Sequence, residues 1–190
     1  MTNRNEVSVS AMRKYPKLEK LFAKHGFTDF TWIKPADMVV SRWVRMKCTY
    51  GCAEYGRNAC CPPNVPSVQE CREFFDEYRA VAVFHFKKRV RKPGDRKPWA
   101  RRINRALLKL EREIFLAGYQ KAFLLPMDSC ELCAACACAR ELCKNPKLAR
   151  PTPEALAVDV FATAGRCGYP IEVLSAYSQP MNRYAFLLVE

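Results

Sequence analysis

The chain has 190 residues, 49% of them hydrophobic, and a formal net charge of +13. A chain of this length buries about 70% of the surface its unfolded form exposes. It therefore needs no disulfides to hold a core, and its eleven cysteines call for a chemical reason. The opening stretch MTNRNEVSVSAMRKY lacks the apolar segment of a signal peptide, and no apolar run approaches the roughly 20 residues that span a bilayer. The expectation is a cytoplasmic protein, 1–190 as one domain, without membrane insertion.

Residues 11–25 carry a broken helical pattern, with Leu18, Leu21 and Phe22 on one face, a start near Pro16 and a stop at Gly26. Residues 37–47 are ambiguous between strand and helix, and their Val and Trp content leans towards strand. Residues 48–66, dense in Cys, Gly, Asn and Pro, read as loop. Ser67 followed by Glu70 is a capping-box pattern opening a helix over 67–78. The near-continuous apolar run 80–87 suits a strand in a sheet covered on both faces.

A basic loop follows at 88–98. The longest helix is expected over 99–117, with Ile103, Leu107, Leu110, Ile114 and Phe115 on one side and Gly118 at its end. Residues 121–125 read as a short strand and 128–150 as a second cysteine-rich segment. A helix over 153–167 and two strands over 171–177 and 184–189 complete the chain. The order gives an α/β or α+β fold, a single sheet with packed helices. Two cysteine-rich cluster-binding loops, 45–71 and 128–150, are expected at its rim.

In a reducing compartment disulfides seldom persist, and an odd cysteine count leaves one thiol unpaired. Clustered cysteines then point to metal or redox chemistry. Cys130, Cys133 and Cys136 form a C-x2-C-x2-C run, with Cys143 seven residues on and Pro146 after it. Three thiolates on one tight loop and a fourth from farther along suit a [4Fe–4S] cubane. Cys138 is a rival for the fourth position. A four-cysteine zinc site is the alternative, although zinc more often uses separate C-x2-C pairs.

The other constellation is Cys48, Cys52 and Cys61, the last followed by Pro62 and Pro63, with Cys71 as a candidate fourth ligand. Cys60 competes with Cys61, and Cys71 also reads as a small buried hydrophobe on a helix. Cys167 reads as a packed core thiol and His85 as a satisfied core histidine. Tyr55, Arg57 and Asn58 stand beside the first group, either to orient a substrate or to cap the loop and donate to cluster sulfurs. Arg150, Glu154 and Asp159 read as ion-pairing residues that position the helix over 153–167.

Residues Arg45-Met-Lys-Cys48, Cys52, Tyr55-Gly-Arg57-Asn58 and Cys61-Pro-Pro, the Cys130–Cys143 block, and Ala149-Arg-Pro with Glu154-Ala-Leu and Val158-Asp-Val together resemble one family. It is the cysteine-rich set of predicted metal-binding proteins called domain of unknown function 2284. The resemblance runs from about residue 30 to the end. It implies cytosolic iron–sulfur ligation by Cys48, Cys52, Cys61, Cys130, Cys133, Cys136 and Cys143. Cys60, Cys138 and Cys167 lie outside the family pattern, and the family assigns no reaction.

Three functions follow as expectations. The first is an electron-transfer protein or reductase component with one or two [4Fe–4S] clusters. Its basic segment 87–105, ten Lys/Arg against one Asp, would dock an acidic partner such as a ferredoxin or flavodoxin. The second is an enzyme using an open iron as Lewis acid or sulfur acceptor. The third is a zinc-stabilised nucleic-acid-binding protein, with Trp99 in the basic segment as a stacking residue.

Overall fold

The computed structural model describes residues 15–190; the start of the helix expected over 11–25 lies outside them. Its sheet has four strands, β1 (Phe30–Ile33), β2 (Ala80–Lys88), β3 (Phe123–Leu125) and β4 (Met181–Val189). They run in the order β1-β2-β4-β3, every neighbouring pair antiparallel. Five α-helices accompany them: α1 (Pro16–Lys24), α2 (Arg42–Gly51), α3 (Val68–Asp76), α4 (Arg96–Leu116) and α5 (Val160–Arg166). The architecture is α+β, one of the two classes expected.

Alternation along β2 and β4 explains both layers. Ala80, Ala82, Phe84, Ala185, Leu187 and Val189 face one way, against Leu18 and Phe22 of α1 and Leu107, Leu110 and Ile114 of α4. Val81, Val83, Phe186 and Leu188 face the other, against Cys71 and Phe75 of α3, Leu156, Val158 and Ala164. Successive strand residues point to opposite faces, so a strand covered on both sides must be apolar throughout. Full burial of side chains such as Phe22, Phe75, Phe84 and Phe186 contributes about 2 kcal/mol each.

The helix over 67–78 forms as α3, with the expected cap: Ser67 Oγ accepts from Glu70 N at 3.2 Å, and Glu70 Oε2 accepts from Ser67 N at 2.7 Å. Helices α1 and α4 end before Gly26 and Gly118, at φ of 77° and 103°, a conformation glycine adopts without steric cost. On α4, Leu107, Leu110 and Ile114 are buried, whereas Phe115 is exposed.

Four expectations fail. The segment leaning towards strand is helical from Arg42. Only Val44 of α2 is buried, so the Val and Trp content marks one contact and an exposed face instead of a pleated surface. Cys48 consequently stands on a helix, outside the loop expected over 48–66. The strand β1 carries just four residues and was not foreseen. Residues 171–177 form no strand, and helix α5 starts only at Val160. Ala157 at φ 63° breaks the helix expected from residue 153, because a left-handed residue cannot continue a right-handed turn.

Candidate metal centre

One end of the sheet gathers the chemistry. Strand β3 leaves the sheet at Leu125, opposite Phe186, and leads through Met127 and Asp128 into the second cysteine segment. Helix α4 holds this exit: Asn104 Nδ2 donates to Met127 O at 2.8 Å, and Met127 N donates to Asn104 Oδ1 at 3.3 Å. Asp128 accepts from Arg96 Nε at 3.1 Å and pairs with Arg183 Nε of β4 at 3.2 Å. It holds φ 65°, an uncommon state for a residue with a side chain, of the kind that clusters at functional sites.

The two cysteine segments, far apart in sequence, meet here. Asn58, almost fully buried, joins them. Its Nδ2 donates to Cys130 O at 3.1 Å and its Oδ1 accepts from Cys60 N at 2.9 Å. Asn64 Nδ2 donates to Asn58 O at 3.2 Å and to Cys138 O at 2.7 Å. The Cys138 thiol donates to Arg57 O at 3.3 Å. The expectation for Asn58 is to orient a substrate or to cap the loop and donate to cluster sulfurs; its amide instead donates to a backbone carbonyl of the other loop. Asn64 and Asn145 went unnoticed, because an Asn in a Pro-rich loop reads only as a turn residue.

Two sulfurs receive N–H groups. Ala59 N donates to Cys136 Sγ at 3.4 Å, Cys138 N to the same sulfur at 3.5 Å, and Asn145 Nδ2 to Cys133 Sγ at 3.0 Å. Such donors stabilise thiolates and tune the potential of bound clusters.

A cleft of about 1210 Å³ opens beside these loops. Cys48, Cys52 and Cys61 of the first segment and Cys130, Cys133 and Cys136 of the second all line it. Tyr55, Arg57 and Asn58 also border it, with Arg96, Asp128, Glu154 and Arg183 at its charged end. The basic segment 87–105 is thus not wholly a solvated face. Arg96 turns in to Asp128, Lys97 stands 3.7 Å from Glu131, and Arg101 lines the cleft.

Burial opposes thiolate formation at Cys48 and Cys61. Burial pushes the Cys61 thiol up to about 12, with further contributions from the neighbouring Cys48, Cys52 and Cys130. Burial also raises Cys48, and Cys52 adds to it. Proximity to Cys130 and burial raise the Cys60 thiol, and the same neighbour lowers that of Cys130. Crowded thiols with this tendency need a cationic core to ionise together, which soft metal ions supply. A set of thiols with N–H groups directed at two of its sulfurs fits, in its chemistry, a thiolate-bound metal group.

Cys71 lies elsewhere. It is fully buried in the core on α3, its Sγ 3.7 Å from Pro66 O. Cys167 caps the end of α5 against the core, and burial raises its thiol to about 11. His85 bonds Asp29 through Nδ1 at 2.7 Å and Asn182 through Nε2 at 2.9 Å. Arg150 does not pair with Glu154 or Asp159. It bonds Glu111 Oε1 at 2.9 Å, while Asp159 caps α5 by accepting from Ala162 N at 2.9 Å. Glu154 is exposed in the cleft it lines, and desolvation raises its carboxyl.

A family model described as a predicted metal-binding protein matches residues 31–189, which include every cysteine of both loops. The chain belongs to the DUF2284 family. No curated protein and no solved structure matches it. Membership carries metal binding for this DUF2284 chain without naming the metal. Among the described residues, no three His, Cys, Asp or Glu side chains converge closely enough to hold a single metal ion, and no helix is long and apolar enough to cross a membrane.

Proposed function

We propose that this DUF2284 protein holds two [4Fe–4S] clusters in the cytoplasm and passes single electrons between partners. The observation that carries the reading is the meeting of two separate cysteine segments on one cleft, with backbone and Asn N–H groups aimed at the sulfurs. Cys48, Cys52 and Cys61 would hold one cluster. Cys130, Cys133 and Cys136 would hold the other, with Cys143 as the fourth thiol. Bound there, each cluster supplies a site that accepts and releases one electron.

A tetrahedral zinc ion with Zn–S bonds of about 2.3 Å draws its four sulfurs within about 4 Å of one another. Thiols spread along a cleft suit a polynuclear cluster better. The protein's own residues contribute the tuning. Ala59, Cys138 and Asn145 direct N–H groups at sulfur, and Asn58 fixes the spacing of the two loops.

Exposed Lys87, Lys88, Arg89, Arg91 and Lys92 run along the approach to the cleft, whose lining includes Val90 and Pro93. They favour an acidic redox partner, whose association weakens as salt screens the charges.

One observation favours a second reading. With Cys71 in the core, the first group offers three thiols to a cleft that also holds Glu154 and the Arg96–Asp128–Arg183 network. A cubane held by three thiolates leaves one iron free as a Lewis acid for a bound substrate. EPR-monitored redox titration of anaerobically purified protein tests both readings. Two one-electron signals are expected. A signal that changes when cyanide is added supports the free iron, and an irreducible, silent protein contradicts electron transfer.

A further inference from the structure

We infer that the outer face of α4 is a docking surface for a nucleic-acid duplex, gripped through its phosphate backbone by Arg102, Arg105, Lys109 and Arg112. The inference goes beyond electron transfer and depends on no particular metal.

The fold divides the basic segment in two. Arg96, Lys97 and Arg101 line the cleft, whereas Arg102 and Arg105 are exposed away from the core. Helix α4 continues that exposed set beyond the segment with Lys109 and Arg112. Intervals of three, four and three residues keep all four on one helix face, opposite Leu107, Leu110 and Ile114, which pack into the core. At 1.5 Å per residue they span about 15 Å of the helix axis. Among the described residues none of the four pairs with a carboxylate. The acidic residues of α4 are engaged elsewhere, Glu111 with Arg150 and Leu124 N, Glu113 with Lys24 and His25.

Such a stripe works against the helix that carries it. Like charges three and four residues apart repel one another. Arg96 and Lys97 add cations at the positive end of the helix dipole, and no acidic residue in the first turn offsets them. A surface shaped for solubility alone mixes both signs. A polyanion laid on this face relieves the repulsion, and the chemistry favours phosphate. Three of the four cations are guanidiniums, whose planar fork matches phosphate oxygens. Between Arg102 and Arg112 no apolar side chain is exposed, so the face lacks the apolar centre of a protein interface. It offers no aromatic ring there either, and single strands are held by stacking on such rings. What remains is sequence-independent contact with a duplex, which carries one negative charge per about 1.7 Å of its axis.

The test measures binding of the full chain, purified without oxygen, to a fluorescein-labelled DNA duplex of mixed sequence, by anisotropy from about 50 to about 200 mM salt. For wild type the logarithm of the binding constant should fall against that of salt with a slope of about −3.6, about 0.9 for each of four phosphates. The combined variant Arg102→Gln, Arg105→Gln, Lys109→Gln and Arg112→Gln keeps good helix formers throughout. It should bind at least about tenfold more weakly, with a slope near zero. Its urea midpoint should match or exceed that of wild type, because the repulsion is gone. Arg105→Gln alone should lower the slope by about 0.9, which keeps the test open if the combined variant misfolds. Lys87→Gln, Lys88→Gln, Arg89→Gln and Arg91→Gln remove the same charge from the loop proposed to meet a redox partner, and binding should stay within about threefold of wild type. No binding by wild type at the lowest salt, full binding by the α4 variants, or an equal loss in the loop variant overturns the inference. Displacement of the duplex by polyglutamate at equal charge concentration also overturns it and assigns the face to an acidic protein.

Discussion

Replacing Cys48, Cys52 and Cys61 together by serine removes about four irons and four sulfides per chain and leaves the other cluster in place. Serine keeps the side-chain volume close to that of cysteine but gives up the soft thiolate on which iron–sulfur binding depends. Cys48 lies on α2, Cys52 caps that helix, and Cys61 sits in the turn before Pro62. None of the three belongs to either core cluster. The metal-free variant should therefore unfold at nearly the same denaturant concentration as metal-free wild type, which separates ligand loss from misfolding. The reciprocal change at Cys130, Cys133 and Cys136 should spare the first cluster. Iron analysis of the two triple variants checks both results. Loss of all iron from either variant would mean that the thiols form one joint centre.

Replacing Glu111 by alanine should be the most destabilising single change at the rim of the site, costing about 3–5 kcal/mol. Glu111 lies on α4 with its side chain 7% exposed. Its Oε1 accepts from Leu124 N of β3 at 2.8 Å and from Arg150 Nε at 2.9 Å. Arg150 in turn donates to Lys147 O at 3.0 Å and packs over the Phe123 ring, 5.4 Å from its centroid. One carboxylate thus ties the longest helix, an edge strand and the exit of the second cysteine loop. Alanine leaves a buried N–H and a half-buried guanidinium without their acceptor, and that asymmetry sets the cost. Urea unfolding of the metal-free protein measures it directly. Glu111→Gln keeps one acceptor and should lose less. A change below about 1 kcal/mol in Glu111→Ala would show that water satisfies these groups and that the loop is held elsewhere.

Local signals were readable wherever local physics decides the outcome. The capping box at Ser67 and Glu70 placed α3, and the apolar run of β2 announced a sheet covered on both faces. The spacing of Leu107, Leu110 and Ile114 placed α4. Three valines and a tryptophan resemble a strand, yet Val40 packs against the core ahead of the helix and within α2 only Val44 is buried. The false helix start at residue 153 reflects long-range ties. Val39 O accepts from Asp159 N and Ala157 O accepts from Ser41 N, and no window of sequence contains both partners.

Within the site, the spacing of Cys130, Cys133 and Cys136 was legible as a metal-binding run. The contact between Asn58 and Cys130, 72 residues apart, was not. Cys71 shows the opposite limit. Its distance from Cys61 along the chain suits a fourth ligand, yet the face of α3 that carries it also carries Phe75 into the core. The charged group of Arg96, Asp128 and Arg183 arises from antiparallel pairing of β3 with β4 and could be found only from the fold.

Elemental analysis of protein made and purified without oxygen bears most directly on the thiol-held clusters. Iron and acid-labile sulfide should each reach about eight per chain, with zinc below stoichiometry and a brown colour that bleaches on reduction. A colourless protein with one or two zinc ions, no iron and no sulfide would contradict the account.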